Sequence, residues 1–287
     1  MNEALLETRG LTIAFGGLVA VRDVDLTVDP GEVHGVIGPN GSGKTTLLNA
    51  VSGIYRPTRG EIRLVGERID SRGPAALVRR GIARTFQNIR LFPTLSVIDN
   101  VKVATYSRTR AGLFGILAAL RGVAVEESRV ESAAREALAL VGLAGRADDL
   151  PGDLPYGQQR LVEIARALVS EPKLLLLDEP AAGMSLDEKR RLADLVRTVN
   201  RERGIAVLVI EHDMRVISGV CQRVTALNFG EVIARGTPDE VRAHPRVVEA
   251  YLGSRGAGRA SGRRSGDAGA VDARGCAEGV VADAIAL

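Results

Sequence analysis

The chain has 287 residues, 45% of them hydrophobic but only 3% aromatic and none of them Trp, so a core must be built from aliphatic side chains. A net charge of +3, with four lysines (Lys44, Lys102, Lys173, Lys189) among its basic residues, gives no case for a nucleic-acid partner, which requires a clustered basic face. Two cysteines, Cys221 and Cys276, with no CxxC exclude a disulfide framework and a zinc site and fit a reducing compartment.

Met1–Gly10 carries Glu3 and Glu7 and no apolar core, so it does not read as a signal peptide. Val24, Leu26 and Val28 alternate with polar residues, as a half-buried strand requires. Glu61–Ile69 alternates in the same way, which predicts an antiparallel N-terminal sheet. Val33–Ile37 is a short apolar run followed by a glycine-rich turn and a helical segment, Lys44–Ser52. Ile82–Phe86 reads as a further strand.

From Ser96 to about Leu150 the period becomes helical, with Val130, Ala134, Ala137, Leu138 and Val141 on one face. This predicts a helical subdomain, about residues 96–157, inserted into an α/β core. Gln158–Val169 reads as helix, Leu174–Leu177 as a strand buried on both faces, Leu186–Arg203 as helix and Ile205–Ile210 as a second buried strand. Val224–Phe229 and Glu231–Ala234 predict a hairpin, and Asp239–Leu252 one or two closing helices. Ser254–Leu287, rich in Gly, Ala, Ser and Arg, is expected to be a disordered tail. Leu113–Leu120 is the longest membrane-like run and is far shorter than the ~20 residues a span needs, so membrane contact is expected only through a partner or a surface.

Five stretches carry chemistry. Gly38-Pro39-Asn40-Gly41-Ser42-Gly43-Lys44-Thr45-Thr46 fits GxxxxGK[ST] between a strand and a helix. Its glycines let successive N–H groups face phosphate oxygens, Lys44 reaches the β- and γ-phosphates, and the Thr45 hydroxyl suits Mg²⁺. Leu174–Leu177 ends in Asp178-Glu179-Pro180, where Asp178 suits Mg²⁺ and Glu179 a base that orients the attacking water. His212 leaves the following strand and is placed to reach a γ-phosphate. Gln87, at the end of Ile82–Phe86, suits Mg²⁺ or the attacking water. Leu154-Pro155-Tyr156-Gly157-Gln158 precedes a helix whose free N–H groups form an anion site.

Taken together, in this order, the phosphate loop, Gln87, the helical insert, the Leu154–Gln158 segment, the acidic strand and His212 resemble the ATP-binding cassette (ABC) ATPases. The likeness covers about Leu5–Leu252. It implies a P-loop NTPase core with an N-terminal antiparallel β-subdomain and an inserted α-helical subdomain, a domain over residues 4–253. It also implies ATP and Mg²⁺ as ligands and a head-to-tail dimer in which each ATP lies between one subunit's phosphate loop and the other's Leu154–Gln158 signature. Phe15 then takes the place of the aromatic that stacks on adenine. Phe15-Gly-Gly-Leu-Val-Ala20, Ala83-Arg-Thr-Phe-Gln87, Tyr156-Gly-Gln-Gln-Arg160, Glu163-Ile-Ala-Arg-Ala-Leu168, Pro180-Ala-Ala-Gly-Met184, Ile210-Glu-His-Asp-Met214 and Glu249-Ala-Tyr-Leu-Gly253 are similar to the LivG-type ATPases of high-affinity branched-chain amino-acid importers. That likeness implies a second, different ATPase subunit, two membrane permeases, a substrate-binding protein acting indirectly, and a place on the cytoplasmic face of the membrane. Ala111–Val125 resembles an extra piece of that type's helical insert.

Two departures separate the chain from the wider family. Its signature is Leu-Ser-Gly-Gly-Gln; here Pro155 and Tyr156 replace Ser and Gly, and Pro155 offers neither hydroxyl nor N–H. A weaker hold on the partner's γ-phosphate is therefore expected. Ser185 stands where the family has Asp, or the LivG-type branch Asn, which puts coupling across the dimer in question. Similar cassettes power lipopolysaccharide export and urea or amide import, and the residues leave the cargo open. A non-transport ABC protein would be expected to show a coiled-coil insertion or two cassettes. A P-loop kinase would leave the signature and His212 without a use.

Overall fold

The computed structural model describes residues 3–105 and 120–260. Two sheets share the molecule. The smaller is antiparallel, in the order β2-β1-β4-β5, built from β1 (Leu6–Phe15), β2 (Leu18–Val28), β4 (Arg59–Leu64) and β5 (Glu67–Arg68). The larger has the order β10-β9-β3-β8-β7-β6, from β3 (Val33–Ile37), β6 (Ile82–Arg84), β7 (Leu174–Asp178), β8 (Ala206–Ile210), β9 (Arg223–Asn228) and β10 (Glu231–Gly236). All its pairings are parallel except the terminal β9–β10 hairpin.

The apolar run in β7 is explained by what lies on each side of it. Leu174 and Leu176 enter one core with Leu6, Leu11 and Ile13 of β1 and with Leu47, Leu48 and Val51 of α1 (Lys44–Val51). Leu175 and Leu177 enter the other, with helices α3 (Val97–Lys102), α4 (Leu120–Leu140), α5 (Tyr156–Leu168) and α6 (Leu186–Arg203). A strand covered on both faces loses the polar alternation that a half-solvated strand keeps. The remaining helices are α2 (Pro74–Arg79), α7 (Met214–Val220), α8 (Pro238–Ala243) and α9 (Pro245–Ala260).

α6 occupies the expected residues, Leu186–Arg203, because both ends are marked. Ser185 and Glu188 form a reciprocal capping box, and Gly204 ends the helix in the left-handed region at φ 64°. Several boundaries differ from expectation, among them these three. β6 stops at Arg84 rather than Phe86, α5 starts at Tyr156 rather than Gln158, and α9 continues past Gly253 to Ala260, so Ser254 falls inside a helix. Residues 261–287 of the expected tail and residues 111–119 of the Ala111–Val125 segment lie outside the described residues. Among the described residues, no helix is long and apolar enough to cross a membrane.

Candidate functional site

The parallel strands deliver their C-terminal ends to one edge, where ligands of open α/β sheets gather. Gly38–Thr46 leaves β3 there and turns into α1. The turn is available only to glycine at its two tightest points. Gly38 has φ 150°, and a side chain on it would run into the Leu227 carbonyl. Gly43 has φ 101°, and its Cβ would lie 2.5 Å from the Ala20 carbonyl. The loop borders a cavity of about 1230 Å³ whose walls also include Leu18, Gln87, Glu179, His212, Phe229 and Tyr251.

Lys44 is buried and its ammonium donates to the Gly38 and Pro39 carbonyls at 2.8 and 3.0 Å. Burial pulls its pKa down, while the carboxylates of Glu179 and Asp178 push it back up. Thr45 and Thr46 line the cavity, as do Pro39, Asn40, Gly41, Ser42 and Gly43.

Asp178 ends β7 and is almost fully buried. One of its oxygens accepts from Arg84 at 3.0 Å; the other, Oδ1, is buried with no protein partner. Burial raises its pKa against the lowering pull of Arg84. Arg84 is itself fixed by Asn49 and Ser52, both at 2.7 Å. Arg84 and Asp178 thus tie β6, β7 and α1 together beneath the loop.

Glu179, the next residue, has φ 48°, an uncommon value for a residue other than glycine. Its N–H donates to Ile210 of β8 at 2.9 Å, and its carboxylate accepts from the Gln87 amide at 3.1 Å. Backbone strain of this kind is held by surrounding contacts and clusters at functional sites. The fully buried Glu211 supplies one such contact. Its carboxylate accepts from the N–H groups of Ala181 at 2.7 Å and His212 at 3.2 Å, stapling the chain after Glu179 to the chain carrying His212. Burial raises the pKa of Glu211, and those backbone donors oppose the rise.

Gln87 is held from a different side. Arg160 of α5, fully buried, donates to the carbonyls of Phe86 and Gln87, each at 2.5 Å, and to Tyr156 Oη and Glu163, each at 3.0 Å. Glu163, also fully buried, accepts from the Arg90 N–H at 2.8 Å, and Arg166 donates to the Arg90 carbonyl at 2.6 Å. The loop Phe86–Arg90 is therefore gripped by the helix that follows Leu154–Gln158.

The other predicted residues lie elsewhere. Leu154 is buried and accepts from Gln159 at 2.9 Å through its carbonyl. Pro155, Gly157 and Gln158 line a separate groove of about 420 Å³ together with Met184 and Glu188 of the α6 start. Glu188 Oε1 lies over Gly157, so a Cβ there would force the Glu188 carboxylate to move. Tyr156 turns its hydroxyl to Arg160, and its ring lies 3.2 Å from where a Cβ on Gly183 would be. Phe15 is not among the residues lining the cavity; its ring meets Tyr55 edge-on at 5.1 Å. Arg84, Arg160, Glu163 and Glu211 were not singled out individually from the sequence, although each sits inside a stretch quoted for its resemblance.

These features define a nucleoside-triphosphatase of the cassette type, and comparison with known proteins agrees. A family model described as ABC transporter matches residues 21–182, and one described as branched-chain amino acid ATP-binding cassette transporter matches residues 231–257. The chain belongs to the ABC transporter family and is an ATP-binding cassette ATPase. It is 39% identical over 253 residues to the high-affinity branched-chain amino acid transport ATP-binding protein LivG of Escherichia coli K12, covering 88% of this chain and 99% of that protein. Its fold matches the crystal structure of the ADP conformation of MJ1267, an ATP-binding cassette of an ABC transporter, with a TM-score of 0.77, 31% identity and coverage of 87% and 99%. It also matches the dimeric post-hydrolysis structure of the ATP-binding cassette MJ0796 bound to ADP and Pi, with a TM-score of 0.69, 27% identity and coverage of 81% and 98%.

Proposed function

We propose that the chain is the energy-coupling subunit of an importer for branched-chain or related amino acids, working at the cytoplasmic face of the membrane through two permease subunits. The observation that carries this reading is the joint match of the cassette and of the C-terminal segment, residues 231–257, to the branched-chain amino-acid type. The 39% identity to LivG over nearly the whole relative supports the same cargo class.

In this reading Gly38–Thr46 holds the ATP phosphates, with Lys44 leaving the Gly38 and Pro39 carbonyls for the β- and γ-phosphates. Phe15 is outside the cavity wall, but Leu18, its partner across the β1–β2 turn, lines it, and this edge is the side assigned to adenine. Magnesium fits the donor set present: Ser42 and Thr45 line the cavity, and Ser42 Oγ and Asp178 Oδ1, the latter just before the cavity-lining Glu179, are buried without protein partners. When bound, Mg²⁺ neutralises charge on the β- and γ-phosphates. Glu179 orients the attacking water and accepts its proton, Gln87 holds the Glu179 carboxylate in place, and His212 faces the γ-phosphate.

None of the signature residues Leu154–Gln158 lines the phosphate-loop cavity of the same chain, and Pro155, Gly157 and Gln158 line a different groove, which supports a site completed by a second subunit. The dimeric state of the relative bound to ADP and Pi supports pairing with a second cassette. Because Tyr156 is committed to Arg160 and Pro155 lacks an N–H, the two composite sites of a heterodimer are unequal. In the reconstituted complex, Glu179→Gln here and the equivalent change in the partner ATPase are each assayed for ATP turnover. Unequal losses support the reading, and equal losses contradict the asymmetry.

A further inference from the structure

The stretch Glu249–Gly253 has no part in the chemistry above, yet one of its side chains reaches the phosphate loop. Tyr251, on α9, accepts a hydrogen bond from the Gly38 N–H at 3.0 Å through its hydroxyl oxygen. Gly38 opens the loop and lies beyond the last paired residues of both neighbouring ladders, Val36 with Ile210 and Ile37 with Ala226. Its N–H has left the sheet, and the tyrosine supplies the acceptor that the sheet no longer provides.

Gly38 has little room to turn. Its φ of 150° and the Leu227 carbonyl packed against its α-carbon fix the direction of the N–H. The Tyr251 ring packs on the edge of the helical-side core and also forms part of the cavity wall. Along the outer side of the loop, Pro39–Ser42 faces Arg246, Glu249 and Ala250 of the same helix across a groove of about 480 Å³. The helix thus runs beside the loop and is bonded to it where it begins.

We propose that Tyr251 is a positioning residue for nucleotide binding: its hydroxyl fixes the first residue of the phosphate loop, so the C-terminal helix sets nucleotide affinity from behind the site. The inference rests on Gly38–Thr46 being the nucleotide site. It acts on the loop and not on the γ-phosphate, so ATP and ADP are affected alike. Burial raises the Tyr251 pKa, so the phenol stays neutral at physiological pH.

The test uses the full chain and the substitution Tyr251→Phe, which keeps the ring and removes the hydroxyl. Dissociation constants for fluorescent ATP and ADP analogues with Mg²⁺ rise together by about five-fold, the worth of one ordinary hydrogen bond. At saturating ATP, kcat stays within about two-fold while KM rises, the pattern of lost uniform binding. The exposed neighbour substitution Leu252→Ser leaves the constants unchanged. A Tyr251→Phe protein with a lowered Tm but unaltered affinities shows a merely structural tyrosine and overturns the proposal, as does a loss confined to ATP. Should that variant fold poorly, amide exchange at Gly38 in the unsubstituted chain decides: slow exchange supports the bond, and free exchange refutes it. If the unsubstituted chain bound neither nucleotide, the site assignment itself would fall, a result distinct from failure of Tyr251 alone.

Discussion

Replacing Arg160 by Met tests how the Gln87 loop is held. Met retains much of the aliphatic stem and removes the guanidinium, which donates to the Phe86 and Gln87 carbonyls, Tyr156 Oη and Glu163. Both partners of the Arg160–Glu163 pair are fully buried, and breaking such a pair from one side costs roughly 3–5 kcal/mol. Glu163 keeps the Arg90 N–H and Arg166, which places the loss near the lower end, about 3 kcal/mol. Urea unfolding followed by far-ultraviolet circular dichroism measures it, and a cycle with Glu163→Leu isolates a coupling on the order of 2 kcal/mol. Amide exchange across residues 86–90 should speed up in the same variant. A destabilisation below about 1 kcal/mol, with exchange unchanged, would refute the view that α5 anchors this loop.

Two further outcomes follow. Lys44→Ala removes the ammonium proposed to bind the β- and γ-phosphates, and nucleotide affinity should fall by at least about 100-fold in a binding titration while Tm changes little. Glu32 gives a pH signature. Burial raises its pKa, but hydrogen bonds from Arg223 and His34 outweigh this and hold it at about 2, below its ordinary 4.5. A carboxylate depressed on folding stabilises the fold above its unfolded pKa, and that contribution is lost as pH falls from about 4.5 towards 2. Arg223→Ala should therefore lower Tm at pH 7 and flatten the acid limb of the Tm–pH curve; parallel curves for the two proteins would contradict it.

Much of the fold was legible because its patterns are local. The phosphate loop, the doubly buried β7 and β8, and the capped α6 each announce themselves within a few residues. β1 was the strand least visible in the sequence, and its register explains why. Its buried residues run Leu6, Thr8, Leu11, Ile13, and the pairing slips between Thr8 and Leu11 beside Gly10, so the period-two pattern changes phase midway. The supporting side chains were hidden for another reason. Arg84, Arg160 and Glu211 look like ordinary charged residues in the sequence, and only the packing brings Arg84 to Asp178, Arg160 to the Gln87 carbonyl and Glu211 to Ala181. The altered signature also acquires a physical account. Tyr156 is bonded to Arg160 and abuts Gly183, and Ser185 caps α6 with Glu188 against Gly157. The two departures from the wider family thus lie on one contact surface between α5 and α6.

The most direct measurement of the central claim is ATP-driven uptake of labelled leucine by membrane vesicles carrying this chain with the permeases, second ATPase and binding protein proposed as its partners. The account predicts uptake that requires ATP, and a Glu179→Gln chain that still binds ATP but loses at least about 100-fold in hydrolysis and in transport together. Normal leucine uptake by the Glu179→Gln complex, or ATP hydrolysis at the unsubstituted rate, would contradict it.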